Sequence, residues 1–119
     1  MNLEKFNSWA VVIKDTDNEG KVYDIIKILA KKNRKVVGIS DEKACIDGID
    51  IYESLKDVPY NVDIVVIVEE SLKIYSILEE MELLDINNIL FEKDSYNEII
   101  LKKAKDMKLN IGYDFSLFK

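Results

Sequence analysis

The acidic side chains of this sequence gather in its loops, where they could act as cation ligands or stabilise helix ends. Residues 14–20 form one such loop, which carries Asp15, Asp17 and Glu19 just before a helical pattern. Clustered carboxylates can bind Mg²⁺ or Ca²⁺, but the spacing of an EF-hand is missing, so we predict no metal site. The same carboxylates can stabilise the positive end of a helix dipole, and we favour that structural role.

Groups that could act in catalysis are scarce. The chain has no histidine, which removes the commonest general base, the usual catalytic triads and most zinc sites. Its single cysteine, Cys45, lies between Ala44 and Ile46 and has no activating partner nearby in the sequence. Gly38-Ile39-Ser40 is not a nucleophile elbow, because the second glycine of G-x-S-x-G is missing. We predict no catalytic residues and favour a protein that is not an enzyme, although the sequence leaves activity open.

Composition and charge narrow the class of protein further. The 119 residues, 48% apolar and 34% charged, suffice for one globular domain, which we expect to span residues 1–119. No apolar run approaches the length of a membrane span, and the N-terminus lacks the features of a signal peptide. A single cysteine favours a cytoplasmic protein. The net charge of −6 opposes nucleic-acid binding, because that function needs basic residues to neutralise phosphates.

Two kinds of segment alternate along the chain and would position the loops. Short β-branched or aromatic runs predict strands at residues 9–13, 35–39, 63–68, 88–91 and 109–113. Apolar residues at helical spacing predict helices at Val22, Ile25, Ile26 and Leu29, at Ile74, Ile77, Leu78 and Met81, and at Ile99, Ile100, Ala104 and Met107.

Two local signals refine this pattern. Ser95 and Glu98 have the spacing of a capping box, which predicts the start of the last helix. Residues 51–56 predict one or two helical turns before Pro59.

The order of the elements predicts an α/β fold, a three-layer Rossmann-like domain with a mostly parallel sheet of five or six strands. Residues 64–68 are apolar on both faces, as in a buried central strand. In such a sheet, ligands bind beyond the carboxyl ends of the strands. That rule directs a ligand to the loops at residues 14–20, 40–48, 69–71 and 92–95.

Several segments carry a resemblance to a known family. It begins with residues 9–12 (WAVV) and 35–38 (KVVG). It is most specific at residues 46–59 (IDGIDIYESLKDVP), which are similar to the pattern I-x-G-x-x-x-Y-x-S-L-x-D-x-P and precede residues 62–67 (VDIVVI). Asn97 and Glu98, opening the last helix, extend it further. The chain resembles the CoA-binding domain family, which includes small stand-alone bacterial proteins and the CoA-binding part of the succinyl-CoA synthetase α subunit.

The resemblance implies a module that binds CoA, or a related small-molecule nucleotide, as its cofactor. It places the phosphates at the turn after the first strand, the ribose after the second and the pantetheine arm after the central one. The matching positions are Lys14, Asp15, Thr16 and Lys21 for the phosphates, Ser40 and Asp41 for the ribose, and Val68 and Glu69 for the arm.

Two other hypotheses stay open. The family's turns usually read Val-Gly-Ala-Ser after the first strand and Asn-Pro after the second, whereas this chain has VIKD at residues 12–15 and SD at residues 40–41. The main alternative is therefore a member that has lost its ligand and acts through protein contacts or as a homodimer. A phospho-receiver domain is suggested by Asp15, Asp17 and Lys93. It is opposed by Glu69 and Glu70, which stand where its acceptor aspartate should be.

Overall fold

Six strands form one sheet at the centre of the molecule, with α-helices on both of its faces. The computed structural model describes residues 3–13, 21–40, 48–69 and 71–113. Its strands are β1 (Ser8–Val12), β2 (Lys35–Ile39), β3 (Asp50–Tyr52), β4 (Ile64–Ile67), β5 (Asn88–Phe91) and β6 (Asn110–Tyr113). Its helices are α1 (Lys21–Lys31), α2 (Lys73–Leu84) and α3 (Glu98–Asp106), with 3₁₀ turns at Leu3–Lys5 and Leu55–Asp57. Within these ranges, no helix is long and apolar enough to cross a bilayer.

The strand order β3-β2-β1-β4-β5-β6 is that of a Rossmann-like sheet, and each neighbouring pair is parallel. The chain builds outward from β1 to β3, returns to the centre, and builds outward again from β4 to β6. The order therefore reverses between β1 and β4, and open sheets of this kind bind ligands at such a switch point. The predicted α/β fold is confirmed, with six strands.

One face of the sheet packs against α1, and we call it the α1 face. Alternate residues of a strand share a face, so the odd-numbered residues of β1 point to this side. Three buried residues of α1 cover them. The predicted helical spacing is therefore confirmed for the residues of α1 whose side chains the structure describes. The core of this face comprises Phe6, Trp9, Val11, Ile13, Ile25, Ile26, Leu29, Ile64, Val66, Val68 and Leu90.

The opposite face packs against α2 and α3, and we call it the α2/α3 face. The predicted apolar positions of α2 are all buried there, and the segment of the 3₁₀ turn at Leu55–Asp57 packs beside them. Because β4 is buried on both faces of the sheet, all of its residues are apolar. The helical part of this core comprises Leu55, Val58, Ile74, Ile77, Leu78, Met81, Ile100 and Ala104.

The prediction of helical turns over residues 51–56 is wrong for its first half. Ile51 and Tyr52 belong to the edge strand β3, in register with Gly38 and Ile39 of β2. The N–H of Ser40 donates to the carbonyl oxygen of Tyr52 at 2.9 Å, which extends this pairing. The ladder to β2 satisfies backbone groups that a helix so short would leave unpaired.

The predicted capping box at the start of α3 is also wrong. Asn97 is the N-cap, and its side-chain oxygen accepts the N–H of Ile100 at 2.9 Å. The Ser95 hydroxyl instead donates to the carbonyl oxygen of Glu92 at 2.6 Å. Helix α3 buries Ile100 against the sheet and turns Ile99 outward. The prediction that Ile99 belongs to the buried stripe of this helix is therefore wrong, since Ile99 is 68% exposed.

Side chains tie the amino ends of the strands together, along what we call the amino edge. Oδ2 of Asp63, just before β4, accepts the N–H of Asn7 at 2.9 Å and that of Ser8 at 3.1 Å. The Ser8 hydroxyl accepts the N–H of Asp63 at 2.9 Å. The Asn88 amide donates to the Asp63 carbonyl oxygen at 3.0 Å, and the Asn110 amide donates to Asn88 at 3.0 Å. These bonds link the first residues of β1, β5 and β6 with the residue that precedes β4.

Candidate functional site

The carboxyl ends of the strands lie level along one side of the sheet, which we call the carboxyl edge. The register places Val12 beside Ile39 and Ile67, and Ile67 beside Phe91. The backbone ladder continues one residue further, because the N–H of Ile13 donates to the Ile39 carbonyl oxygen at 2.8 Å. The loops after β1, β2, β4 and β5 therefore begin at a common level around the switch point.

Three of the predicted ligand residues are described in full and lie together at this edge. Ser40 and Val68 follow β2 and β4 on either side of Ile13, so two strand spacings, about 10 Å, separate their backbones. Glu69 comes next to Val68. Of Lys21 the structure describes the backbone alone, as the first residue of α1. The predicted residues outside the described ranges are Lys14, Asp15, Thr16 and Asp41.

The side chains of Ser40 and Val68 point into the protein. Ser40 is 3% exposed, and Val68 is 2% exposed and packs in the core of the α1 face. Glu69 is exposed. A ligand seated here would meet the backbone of residues 40 and 68 and the carboxylate of Glu69. An anionic ligand therefore needs cations from another element.

Lys73, which is not among the predicted ligand residues, brings a positive charge close to this edge, although its Nζ is buried. It is the first residue of α2, and the first turn of that helix contains no acidic residue. The positive end of the helix dipole and the positive charge of Lys73 therefore lie at the same end of α2. A lysine at a helix start opposes helix stability, and that unfavourable placement is the sequence signal that could have identified it.

Lys73 lines a cleft of about 350 Å³ between α2 and the segment that follows β3. Hydrogen bonds within the protein engage two of the cleft's carboxylates. Asp57 Oδ2 accepts from the Ser54 hydroxyl at 2.9 Å, and Glu80 Oε2 accepts the backbone N–H of Lys56 at 3.2 Å. The cleft thus combines two lysine side chains, of residues 56 and 73, with three carboxylates, because exposed Glu53 also lines it. The Nζ atom of Lys73 is buried.

The turn after β5 has a constrained backbone. Asp94 has φ 65°, a left-handed conformation that glycine adopts most readily and aspartate tolerates. Both the N–H and the hydroxyl of Ser95 donate to the Glu92 carbonyl oxygen, at 3.1 and 2.6 Å. The described chain therefore builds a tight turn here with aspartate at the left-handed position.

Aromatic side chains occupy the outer end of the carboxyl edge. The ring centroids of Phe91 and Tyr96 lie 5.6 Å apart, and those of Tyr96 and Tyr113 lie 5.8 Å apart. Tyr113, at the end of β6, is 54% exposed. This end of the edge is largely aromatic, and exposed Lys93 in the turn after β5 lies near it.

A larger cavity, of about 550 Å³, opens at the amino edge and not at the switch point. Its lining includes Asp63 and Asn88, whose hydrogen bonds join strands. Tyr60 also lines it, and burial raises the pKa of the Tyr60 phenol, with smaller contributions from Tyr52 and Asp50. We assign this cavity to the structural end of the sheet. No group of three or more potential metal ligands converges within the described ranges.

Solved structures share this fold. A conserved hypothetical protein from Pyrococcus furiosus matches with a TM-score of 0.83 at 18% identity, over 95% of this chain and 97% of its own. A hypothetical protein from Pyrococcus horikoshii OT3 gives 0.81 at 21% identity, over 98% of this chain and 82% of its own. The dinucleotide forming acetyl-coenzyme A synthetase 1 of Ca. Korarchaeum cryptofilum gives 0.74 at 20% identity, over 92% of this chain and 26% of its own. At these identities the likeness shows the fold alone.

The sequence itself identifies the family. A comparison with curated protein sequences gives no match. The sequence profile of the family described as CoA binding domain, however, matches residues 7–117. That stretch contains all six strands of the described sheet and the four loops of the carboxyl edge. The resemblance noted in the sequence is therefore confirmed, and the chain belongs to the CoA binding domain family.

Proposed function

We propose that this chain is a cytosolic, non-enzymatic module that folds as one domain and binds CoA or a related nucleotide at its carboxyl edge. The observation that carries the proposal is the family match over residues 7–117, which includes that edge in full. The β1–β4 switch point lies at its centre. A binding role, and not a catalytic one, is supported by the lack of histidine in the sequence.

The phosphates of the ligand would be held mainly at the first turn of α2. Lys73 and the positive end of the helix dipole favour an anion there, and the cleft beside them offers room for part of a ligand. Glu69, on the loop before the helix, opposes the same anion. We therefore expect modest affinity that depends strongly on salt, because the attraction comes from few charges and is screened.

Titration calorimetry with CoA tests the proposal. We expect saturable binding at about 0.02 M ionic strength that weakens clearly at about 0.3 M, where the Debye length is several-fold shorter. Lys73→Ala should weaken binding roughly five- to twentyfold, because it removes a positive charge close to the first turn of α2. Lys105→Ala is the control, because it removes the same charge from the last turn of α3. The CoA affinity of this variant should stay within about twofold of that of the wild type.

Two results would count against the proposal. The first is no heat and no thermal shift with millimolar CoA at low salt. The second is equal weakening in Lys73→Ala and Lys105→Ala, which would make the attraction a property of net charge and not of a site at α2.

A member that has lost its ligand and acts through protein contacts or as a homodimer is the second candidate. The exposed carboxylates of Glu69, Asp94 and Glu98 on the carboxyl edge favour it, because they repel phosphate. Sedimentation equilibrium distinguishes the two. A stable dimer that does not respond to CoA supports this candidate, whereas a monomer that binds CoA excludes it.

A further inference from the structure

Basic residues cluster where α1 ends and β2 begins. We call Lys31, Lys32, Arg34 and Lys35 the basic patch. The three lysines are exposed, and Arg34 is half-buried. Within the described ranges, no ion pair involves any of the four. Only Lys31 lies in the last turn of α1, where a cation stabilises the helix dipole. That role therefore does not account for the other three.

The end of α2 carries the opposite charge. Its four consecutive exposed residues Glu82, Leu83, Leu84 and Asp85 are here called the acidic patch. The last turn of α2 contains no basic residue, so both carboxylates oppose the helix dipole. In the described part of the chain, neither carboxylate has a hydrogen bond or an ion pair, and Leu83 is 84% exposed. Sites where a sequence gives up local stability in this way are often functional.

The two patches lie on one surface, the amino edge. The basic patch leads into β2, and the acidic patch comes just before β5. Leu84, Asp85 and Tyr60 line the cavity of about 550 Å³ at this edge. Lys35 Nζ lies 5.1 Å from the ring centroid of the same Tyr60. The basic and acidic patches therefore stand on two sides of one cavity.

Two charged side chains near the patches are already engaged within the protein. Asp63, which also lines the cavity, accepts the N–H groups of Asn7 and Ser8. Lys103, which lines a neighbouring cavity with Glu82 and Asp85, has its Nζ 3.9 Å from Oε1 of Glu79. The charges of the two patches are thus left for a partner.

We propose that two copies of this chain associate through their amino edges, with the basic patch of each against the acidic patch of the other. A two-fold axis in the plane of the contact exchanges two patches on one surface, so a closed dimer makes both contacts at once. The exposed leucines then pack on the methylene groups of the partner's lysines, whose ammonium groups meet the carboxylates. This inference goes beyond the proposed function, because the carboxyl edge stays open in such a dimer.

Sedimentation velocity of the wild type tests the inference through its salt dependence. The net charge of −6 makes two copies repel each other at a distance, so association requires the local pairing of opposite charges. At about 0.1 mM protein and about 0.05 M ionic strength we expect a dimer, whose dissociation constant should rise about tenfold at about 0.5 M, where the Debye length is about threefold shorter.

Charge reversal locates the contact. Lys31→Glu/Lys32→Glu/Lys35→Glu makes the basic patch acidic, and Glu82→Lys/Asp85→Lys makes the acidic patch basic. Each variant alone should be a monomer, because like charges then meet at both contacts. An equimolar mixture of the two variants should form a dimer again, because opposite charges then meet at both contacts.

A matched control separates the patch from net charge. Lys93→Glu/Lys102→Glu/Lys105→Glu reverses three exposed lysines elsewhere and gives the same net charge as the basic-patch variant, but should remain a dimer. Lysine suits the backbone at position 85, since Asp85 has φ 57° and Lys108 of the same chain has φ 60°.

Four results would overturn the inference. They are a wild type that is monomeric at low salt, a dimer that tightens with salt, a dimer that survives both reversals, and folded reversal variants that do not associate when mixed. The salt series uses the wild type alone and decides the matter even where a variant fails to fold. CoA titration of the wild type is a separate measurement, so the proposed function can fail while the dimer stands, and the reverse.

Discussion

The two edges of the sheet are built in different ways. At the amino edge, side chains of Ser8, Asp63, Asn88 and Asn110 form hydrogen bonds that join neighbouring strands. At the carboxyl edge, backbone bonds such as that from Ile13 to Ile39 link the strand ends, and the side chain of Glu69 is exposed. The amino edge is therefore held together by side chains, whereas the carboxyl edge combines buried side chains such as that of Ser40 with exposed ones such as that of Glu69, which a ligand can meet.

This contrast predicts which substitutions should lower stability and which should change ligand binding. Removing a partner at the amino edge leaves partly buried polar groups unsatisfied and lowers the free energy of unfolding. Changing an exposed side chain at the carboxyl edge removes no internal bond and should alter binding with little effect on stability. The predictions below test this separation.

The largest effect is expected for Asp63→Ala. It removes the acceptor of two backbone N–H groups, of Asn7 and Ser8, and the second of these is nearly buried. We expect a loss of about 2–3 kcal/mol in the free energy of unfolding, since bonds to charged acceptors contribute more than neutral ones. Urea unfolding measures it. Asp63→Asn keeps an acceptor oxygen and should cost about 1 kcal/mol.

Glu69→Ala is the matched change at the carboxyl edge. It removes an exposed carboxylate, so the free energy of unfolding should stay within about 0.5 kcal/mol of the wild type. Because Glu69 opposes an anion, the same variant should bind CoA more tightly. Equal destabilisation by Asp63→Ala and Glu69→Ala would remove the distinction between the edges.

Asn88→Ala should have the next largest effect. The Asn88 side chain donates to the Asp63 carbonyl oxygen and accepts from the Asn110 amide, so it bridges β4, β5 and β6. Loss of both bonds should cost about 1–2 kcal/mol, measured by urea unfolding. Asn110→Ala removes only the outer, exposed bond and should cost about half as much. Reversed magnitudes would mean that the bond to Asp63 contributes little.

The fold was predictable because it follows from hydrophobic patterning over the whole chain. Strands β2 and β5 begin and end where the sequence predicts, since β-branched runs of that length have one favourable conformation in a buried sheet. Strand β3 was missed because residues 50–52 form a short, half-buried edge strand, and their pairing with β2 does not show in local periodicity.

The site was less predictable, and for a physical reason. The family resemblance directed attention to the loops, but burial decides which side chains can meet a ligand, and burial depends on the register of distant strands. Val68 has the right position and a buried side chain. Lys73 has an unfavourable place on its helix and lines the cleft, with its Nζ buried. A cation at a helix start is a weak signal that gains meaning once the helix is located at the switch point.

A helix end at the amino edge allows a prediction with a smaller expected effect on stability. Lys108 follows α3 with φ 60°, and the bonds of Lys108 and Leu109 to Lys105 and Ala104 form a Schellman motif. Glycine suits this position, so Lys108→Gly should raise the free energy of unfolding by about 0.5–1 kcal/mol. Lys108→Ala removes the same charge, keeps the Cβ atom and should not stabilise. Asp94→Gly at the carboxyl edge should gain less, because aspartate tolerates this conformation.

The smallest effect is a pH dependence of the amino edge, carried by Tyr60. Burial, then Tyr52 and then Asp50, raise the pKa of the Tyr60 phenol above its ordinary value of 10.0. Lys35 lies on the other side, with Nζ 5.1 Å from the ring centroid. Above pH 10 the unfolded chain loses this proton while the folded chain holds it. The unfolded state then binds fewer protons, so stability falls as pH rises.

Tyr60→Phe isolates that contribution. The difference in free energy of unfolding between wild type and Tyr60→Phe should be constant below about pH 9 and should shrink as pH rises through about 10 to 11. Titration of the lysines and the other tyrosines is common to both proteins and cancels in the difference. A difference that stays constant up to about pH 11 would mean that the folded structure does not favour the neutral phenol, and that the amino edge is more open to water than its hydrogen bonds indicate.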